Sequence, residues 1–134
     1  MPKVEKIEII KKSRGRIIKL FSSISKNFIA VKESYLSEIG AYEIRAWKKQ
    51  IKSKMFLIVL KGKVKFVLYK NNSFKKKIIS AKEFRRIFIP KNTWYGFKNM
   101  GRSKAMILSL MSQKYTKNNI LQKDLKKLKF NWKN

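Results

Sequence analysis

Apolar and polar positions alternate with a period of two along much of this 134-residue chain. That period belongs to strands, whose successive side chains point to opposite faces. The cleanest case is Lys63–Lys70 (KVKFVLYK), which puts Val64, Phe66 and Leu68 on one face and Lys63, Lys65, Val67 and Tyr69 on the other. Short β-branched or aromatic runs predict further strands at Arg16–Phe21, Phe28–Leu36, Tyr42–Trp47, Lys76–Ser80, Phe84–Ile89, Trp94–Lys98 and Ala105–Met111. Lys54–Leu60 is almost unbroken apolar sequence, as a strand buried on both faces would be. Turn residues punctuate the set: a Ser/Asn-rich stretch before Phe28, then Gly40, Gly62, Asn71-Asn72-Ser73 and Pro90-Lys91-Asn92. About nine closely spaced strands argue for an all-β sandwich or barrel. Helical spacing occurs only near the end, where Ile120, Leu121, Leu125 and Leu128 predict a short helix or an irregular segment over a barrel mouth.

The length suits a single domain, 1–134, and no linker or repeat interrupts it. Nine Phe, five Tyr and three Trp give a core that a disordered chain of this charge would lack. The longest apolar run, Met55–Leu60, is far too short to span a membrane, and MPKVEKIEII lacks the apolar stretch of a signal peptide. A soluble cytoplasmic protein is the expectation.

Composition narrows the chemistry. The chain has neither cysteine nor histidine, so thiolate chemistry and imidazole acid–base chemistry are excluded. No metal site and no cofactor is expected. The net charge of +28 would attract phosphorylated small molecules, anionic lipid or nucleic acid. Of the 35 cations 29 are lysine, alongside 17 Ile and nine Asn, a set that compositional drift in an AT-rich coding sequence would also produce.

Several landmarks fall in order. Ser13-Arg14-Gly15 opens the chain's strands. Arg45-Ala46-Trp47-Lys48 ends one, and an apolar strand follows into Lys61-Gly62. Then come Ile89-Pro90-Lys91-Asn92-Thr93-Trp94-Tyr95-Gly96-Phe97, Met111–Tyr115 and Lys129-Phe130-Asn131-Trp132. This succession resembles the dTDP-4-dehydrorhamnose 3,5-epimerase family of nucleotide-sugar epimerases and ketoisomerases. The resemblance implies a small cupin barrel of jelly-roll type and an isomerase role in surface-polysaccharide biosynthesis. It also implies a dTDP-4-keto-6-deoxy sugar as ligand and a homodimer paired through edge strands. Where the resembled family carries two histidines, this chain has Lys48 and Tyr95.

The resemblance places Lys48, Tyr95 and Tyr115 at catalytic positions and Arg45, Trp47, Gln50 and Lys54 at substrate-binding ones. Lys48 reads either as the base that removes a proton beside a keto group or as a solvated rim lysine. A free lysine, with a pKa of about 10.4, needs burial or crowding by like charge to serve as a base. Arg45 reads as an anion or keto-oxygen contact, or as the partner of Glu33, Glu38 or Glu43. Tyr95 and Trp94, adjacent on a strand, face opposite ways, which leaves Tyr95 as a donor into the barrel or as core. Two further readings stay open: a cupin that binds the sugar nucleotide without turning it over, and a basic nucleic-acid-binding barrel.

Overall fold

The computed structural model describes residues 3–22 and 28–133. Twelve strands appear in chain order: β1 (Lys3–Lys6), β2 (Glu8–Lys12), β3 (Gly15–Lys19), β4 (Glu33–Ile39), β5 (Ile44–Gln50), β6 (Met55–Lys61), β7 (Lys63–Lys70), β8 (Ser73–Ser80), β9 (Arg85–Ile89), β10 (Trp94–Asn99), β11 (Ala105–Met111) and β12 (Ile120–Gln122). They form two antiparallel five-stranded sheets, ordered β1-β9-β6-β11-β4 and β12-β5-β10-β7-β8, plus the hairpin β2-β3. No α-helix occurs among the described residues. The architecture is the all-β jelly roll that the sequence led us to expect.

The two sheets enclose the main core. Leu57, Val59, Val64, Phe66, Leu68, Ile87, Ile107 and Tyr95 all point into it. The alternation in β7 therefore reads correctly: Val64, Phe66 and Leu68 face inward. Each sheet also has a covered outer face. Phe56, Ile58, Phe88 and Leu110 pack under Ile18, Leu20 and Phe21 beside the hairpin. Trp47, Val67 and Trp94 pack under Leu128 and Trp132 of the C-terminal tail. Burial on both faces explains why β6 is continuously apolar.

The structure corrects one expectation, decides between the alternatives left for the C-terminal segment, and adds strands that the pattern did not show. The strand expected over Phe28–Leu36 begins only at Glu33 and runs to Ile39, paired with β11. The Ser/Asn-rich turn before Phe28 lies outside the described residues. The helical option for Asn119–Phe130 is not realised: Ile120–Gln122 adds to the edge of β5, and short 3-10 turns (Lys117–Asn119 and Leu125–Lys127) flank it. β1 and β2 were also missed, because MPKVEKIEII alternates across only half-buried faces.

Asn71 and Asn72 turn β7 into β8 with φ of 52° and 60°, left-handed values that Asn tolerates better than most residues.

Candidate functional site

A cavity of about 420 Å³ opens between the sheets. β4 and β11 wall one side and β5 and β10 the other, and the segment after β12 closes part of the mouth. Tyr95 lies directly across from Lys48 in the β10–β5 register, so both side chains project from the same face of the sheet. One step on, the register shifts between Tyr95 and Gly96. Gly96 lies opposite Ala46, which leaves Trp47 as the extra residue of a bulge. The bulge turns the Trp47 ring onto the outer face against Trp132 at 5.3 Å. Tyr95 stays inward, so the expectation that Trp94 and Tyr95 face opposite ways holds.

Gly96 is required at this point. A Cβ there would sit 2.5 Å from the Ala46 Cβ and 3.2 Å from the Ala46 Cα and the Arg45 carbonyl oxygen. The close approach of β10 to β5 is what sets Lys48 opposite Tyr95.

The Tyr95 hydroxyl accepts a hydrogen bond from Gln50 Nε2 at 3.2 Å. Both residues are buried. Burial pushes the Tyr95 phenol up to about 12; the Gln50 bond opposes the shift, and the nearby Tyr35 adds to it. Tyr95 is therefore a protonated donor at neutral pH. Because Gln50 occupies an acceptor position on the oxygen, the phenolic proton is free to point elsewhere. Tyr35, on β4, is itself raised, by burial first and then by Glu33.

The other expected residues separate into two groups. Arg45, Trp47 and Lys48 line the cavity with Tyr95. Gln50 reaches it through Tyr95. Lys54 and Tyr115 are not among its walls. Lys54 is exposed and its backbone N–H donates to Ser112 Oγ. Tyr115, 58% exposed beyond the end of β11, donates its backbone N–H to Glu33.

Arg45 is already engaged. Its Nε donates to Glu43 Oε2 at 2.8 Å and its Nη2 to the Glu38 carbonyl at 2.7 Å. Glu43 is held below the usual carboxylate range by Arg45 and by the Gly40 N–H. Lys48 is solvent-exposed, so the burial that a lysine base calls for is not there.

Sequence reasoning missed Tyr35, Ser37, Ser109, Lys123 and Asp124, which also line the cavity. Ser109 was findable: it is the one polar residue on the inward face of Ala105–Met111, between Ile107 and Met111. Asp124 was not, because backbone pairing delivers it. Trp47 N–H donates to the Lys123 carbonyl and Lys123 N–H to the Trp47 carbonyl, each at 3.0 Å. The Trp47 indole donates to the Leu125 carbonyl at 3.3 Å. These three bonds hold the only carboxylate among the cavity's walls.

The family model FdtA, described as WxcM-like, C-terminal, matches residues 2–130. The chain belongs to this FdtA family. No curated protein matches the chain. Among solved structures, a dTDP sugar isomerase from Desulfovibrio desulfuricans superposes with a TM-score of 0.86 at 20% identity, covering 98% of this chain and 90% of that one. A 3,4-ketoisomerase from Helicobacter canadensis gives 0.80 at 22% identity over 91% and 90%. A dTDP-4-dehydrorhamnose 3,5-epimerase from Bacillus anthracis, solved with TDP and pyrophosphate bound, gives 0.79 at 15% identity over 90% and 77%. At such identities the likeness establishes the jelly-roll fold of this FdtA-family chain.

Proposed function

We propose that the cavity binds a dTDP-linked 4-keto-6-deoxy sugar and that the protein is an isomerase moving a proton beside the keto group. The observation carrying this reading is the convergence of Tyr95, Lys48 and Asp124 on one cavity of about 420 Å³. A pocket of that volume suits a sugar-sized ligand. A structural relative points the same way: a 3,4-ketoisomerase variant from Thermoanaerobacterium thermosaccharolyticum, solved in complex with TDP-4-keto-6-deoxyglucose.

The roles follow from chemistry. A carboxylate can accept the proton α to a ketone, and Asp124 is the one available. The electron pair of the broken C–H bond forms the enolate C=C bond and the carbonyl π pair moves onto the keto oxygen, where the Lys48 ammonium balances the charge. Tyr95, protonated and buried, returns a proton to carbon as the enolate electrons come back; solvent then reprotonates the Tyr95 oxygen and takes up the proton from Asp124. Trp47 acts through the tail it holds.

A second reading, binding without turnover, is favoured by two observations. Lys48 is exposed, and Arg45 is committed to Glu43. One experiment separates the two. TDP-4-keto-6-deoxyglucose is incubated with the protein in D2O and followed by NMR and by calorimetry. Deuterium entering beside the keto group, and lost in Asp124→Asn, supports the isomerase. Binding without exchange supports the second reading, and absence of binding defeats both.

A homodimer formed through an edge strand belongs to the same proposal. β4 is a sheet edge with Tyr35 and Leu36 exposed, an unpaired row suited to a second copy. Light scattering at twice the monomer mass would support it.

A further inference from the structure

The acids of this chain are unevenly placed, whereas its lysines occur on both sides of the molecule. Glu5 lies in β1, Glu8 in β2, and Glu33 and Glu38 in β4, all on the side of the first sheet. Glu43 and Glu83 lie in the connections before β5 and β9. Asp124 lines the cavity. On the outer face of the second sheet, cations surround the apolar centre that the C-terminal tail covers.

Two grooves mark that face. One, of about 260 Å³, is lined by Lys49, Lys70, Asn71, Asn72, Tyr69 and Trp94 among others. Lys49 and Lys123 both stand over the Trp94 ring, with Nζ 5.1 and 4.7 Å from its centroid. The second, of about 500 Å³, runs along the tail and takes Lys98, Lys126, Lys129 and Lys133 into its walls. Neither groove has an acidic wall residue. Lys65, in register with Lys98 of the second groove, is buried on the sheet, its charge disfavoured by that burial and then by Lys76 and Lys98.

We propose that the outer face of the second sheet, with the C-terminal tail, binds the phosphodiester backbone of nucleic acid. Its dimension fits. Five strands at a spacing of about 4.8 Å span roughly 19 Å. Duplex DNA carries one charge per ~1.7 Å of axis, so the face spans roughly eleven phosphates. The cations named are all lysines, point charges that neutralise phosphate without the planar fork that reads base edges, so binding is independent of sequence. A bilayer is a poorer match, because Trp47, Trp94 and Trp132 are buried in one another's cluster and leave no indole to seat in an interface.

The test is fluorescence anisotropy with a labelled 20-base-pair duplex of arbitrary sequence, titrated from 50 to 200 mM NaCl. Two triple variants remove equal charge. Lys126→Glu, Lys129→Glu, Lys133→Glu alters the tail, and Lys6→Glu, Lys11→Glu, Lys12→Glu alters the first-sheet side. With six phosphate contacts the native protein loses about a thousandfold in affinity over that salt range. The tail variant is expected to lower the salt slope by up to about 2.7, and the first-sheet variant to leave it near the native value. Should the tail variant fail to fold by circular dichroism, Lys70→Glu, Lys76→Glu replaces it. Equal losses in variants of the two faces, absence of binding at 100 mM NaCl, or stronger binding to phosphatidylserine vesicles than to the duplex overturns the proposal.

Discussion

At the scale of single residues, Tyr95 decides most. Its phenol is raised from 10.0 to about 12, with burial the main cause. A tyrosine is neutral when protonated, so the folded state holds this proton more tightly than the unfolded chain does. The associated stability is complete below pH 10 and drains away between pH 10 and 12. An absorbance titration of phenolate should therefore show a late tyrosine phase near 12 that Tyr95→Phe removes. Gln50→Leu should move that phase higher still, since the Gln50 bond is the influence that lowers it. A Tyr95 that titrates with the exposed tyrosines would refute the buried geometry. Tyr95→Phe also strands Gln50 Nε2, at a cost of about 1–3 kcal/mol. Part of this residue's setting was legible: alternation put Tyr95 and Trp94 on opposite faces, and the structure shows that Tyr95 is the inward one. Its hydrogen bond to Gln50 was not, because the two lie 45 positions apart in sequence.

At the scale of elements, the bulge between β5 and β10 organises the site. Pattern alone could not reveal it, since Arg45-Ala46-Trp47-Lys48 gives no sign of which residue is extra. Only the partner strand tells, by bringing Gly96 against Ala46. Gly96→Ala should accordingly cost about 1–3 kcal/mol in urea unfolding, because its Cβ has to displace backbone and not a flexible side-chain tip. An unchanged midpoint would mean that the two strands are not in such close approach. The tail teaches the complementary lesson. Ile120, Leu121, Leu125 and Leu128 are spaced ambiguously, and the unpaired edge of β5 settles the matter by offering Ile120–Gln122 a ladder. Edge pairing runs through backbone groups, which leave no mark on a hydropathy pattern. Asp124 entered the site by that route, so the sequence showed the barrel more fully than it showed the carboxylate.

At the scale of the whole molecule, charge sets the behaviour. With 35 cations and seven carboxylates, the 28 excess cations have no acid to meet. The solvent-accessible surface of 8698 Å² shared among 28 excess charges is roughly 310 Å² each, an average separation of roughly 18 Å. That separation lies between the Debye lengths of about 30 Å at 0.01 M and about 10 Å at 0.1 M salt. The repulsion is therefore felt in dilute buffer and largely screened at moderate ionic strength. It acts against the compact state and against any dimer, which would double the charge on one particle. The melting temperature should then rise when NaCl goes from 10 to 100 mM and level off above that. Mass by light scattering should shift toward dimer over the same interval. Sulfate at equal ionic strength should raise the melting temperature beyond the NaCl plateau if the lysine-lined grooves of the second sheet hold anions, because site binding adds to screening. A melting temperature flat from 10 to 100 mM NaCl would show that the excess charge sits too far into solvent to strain the fold.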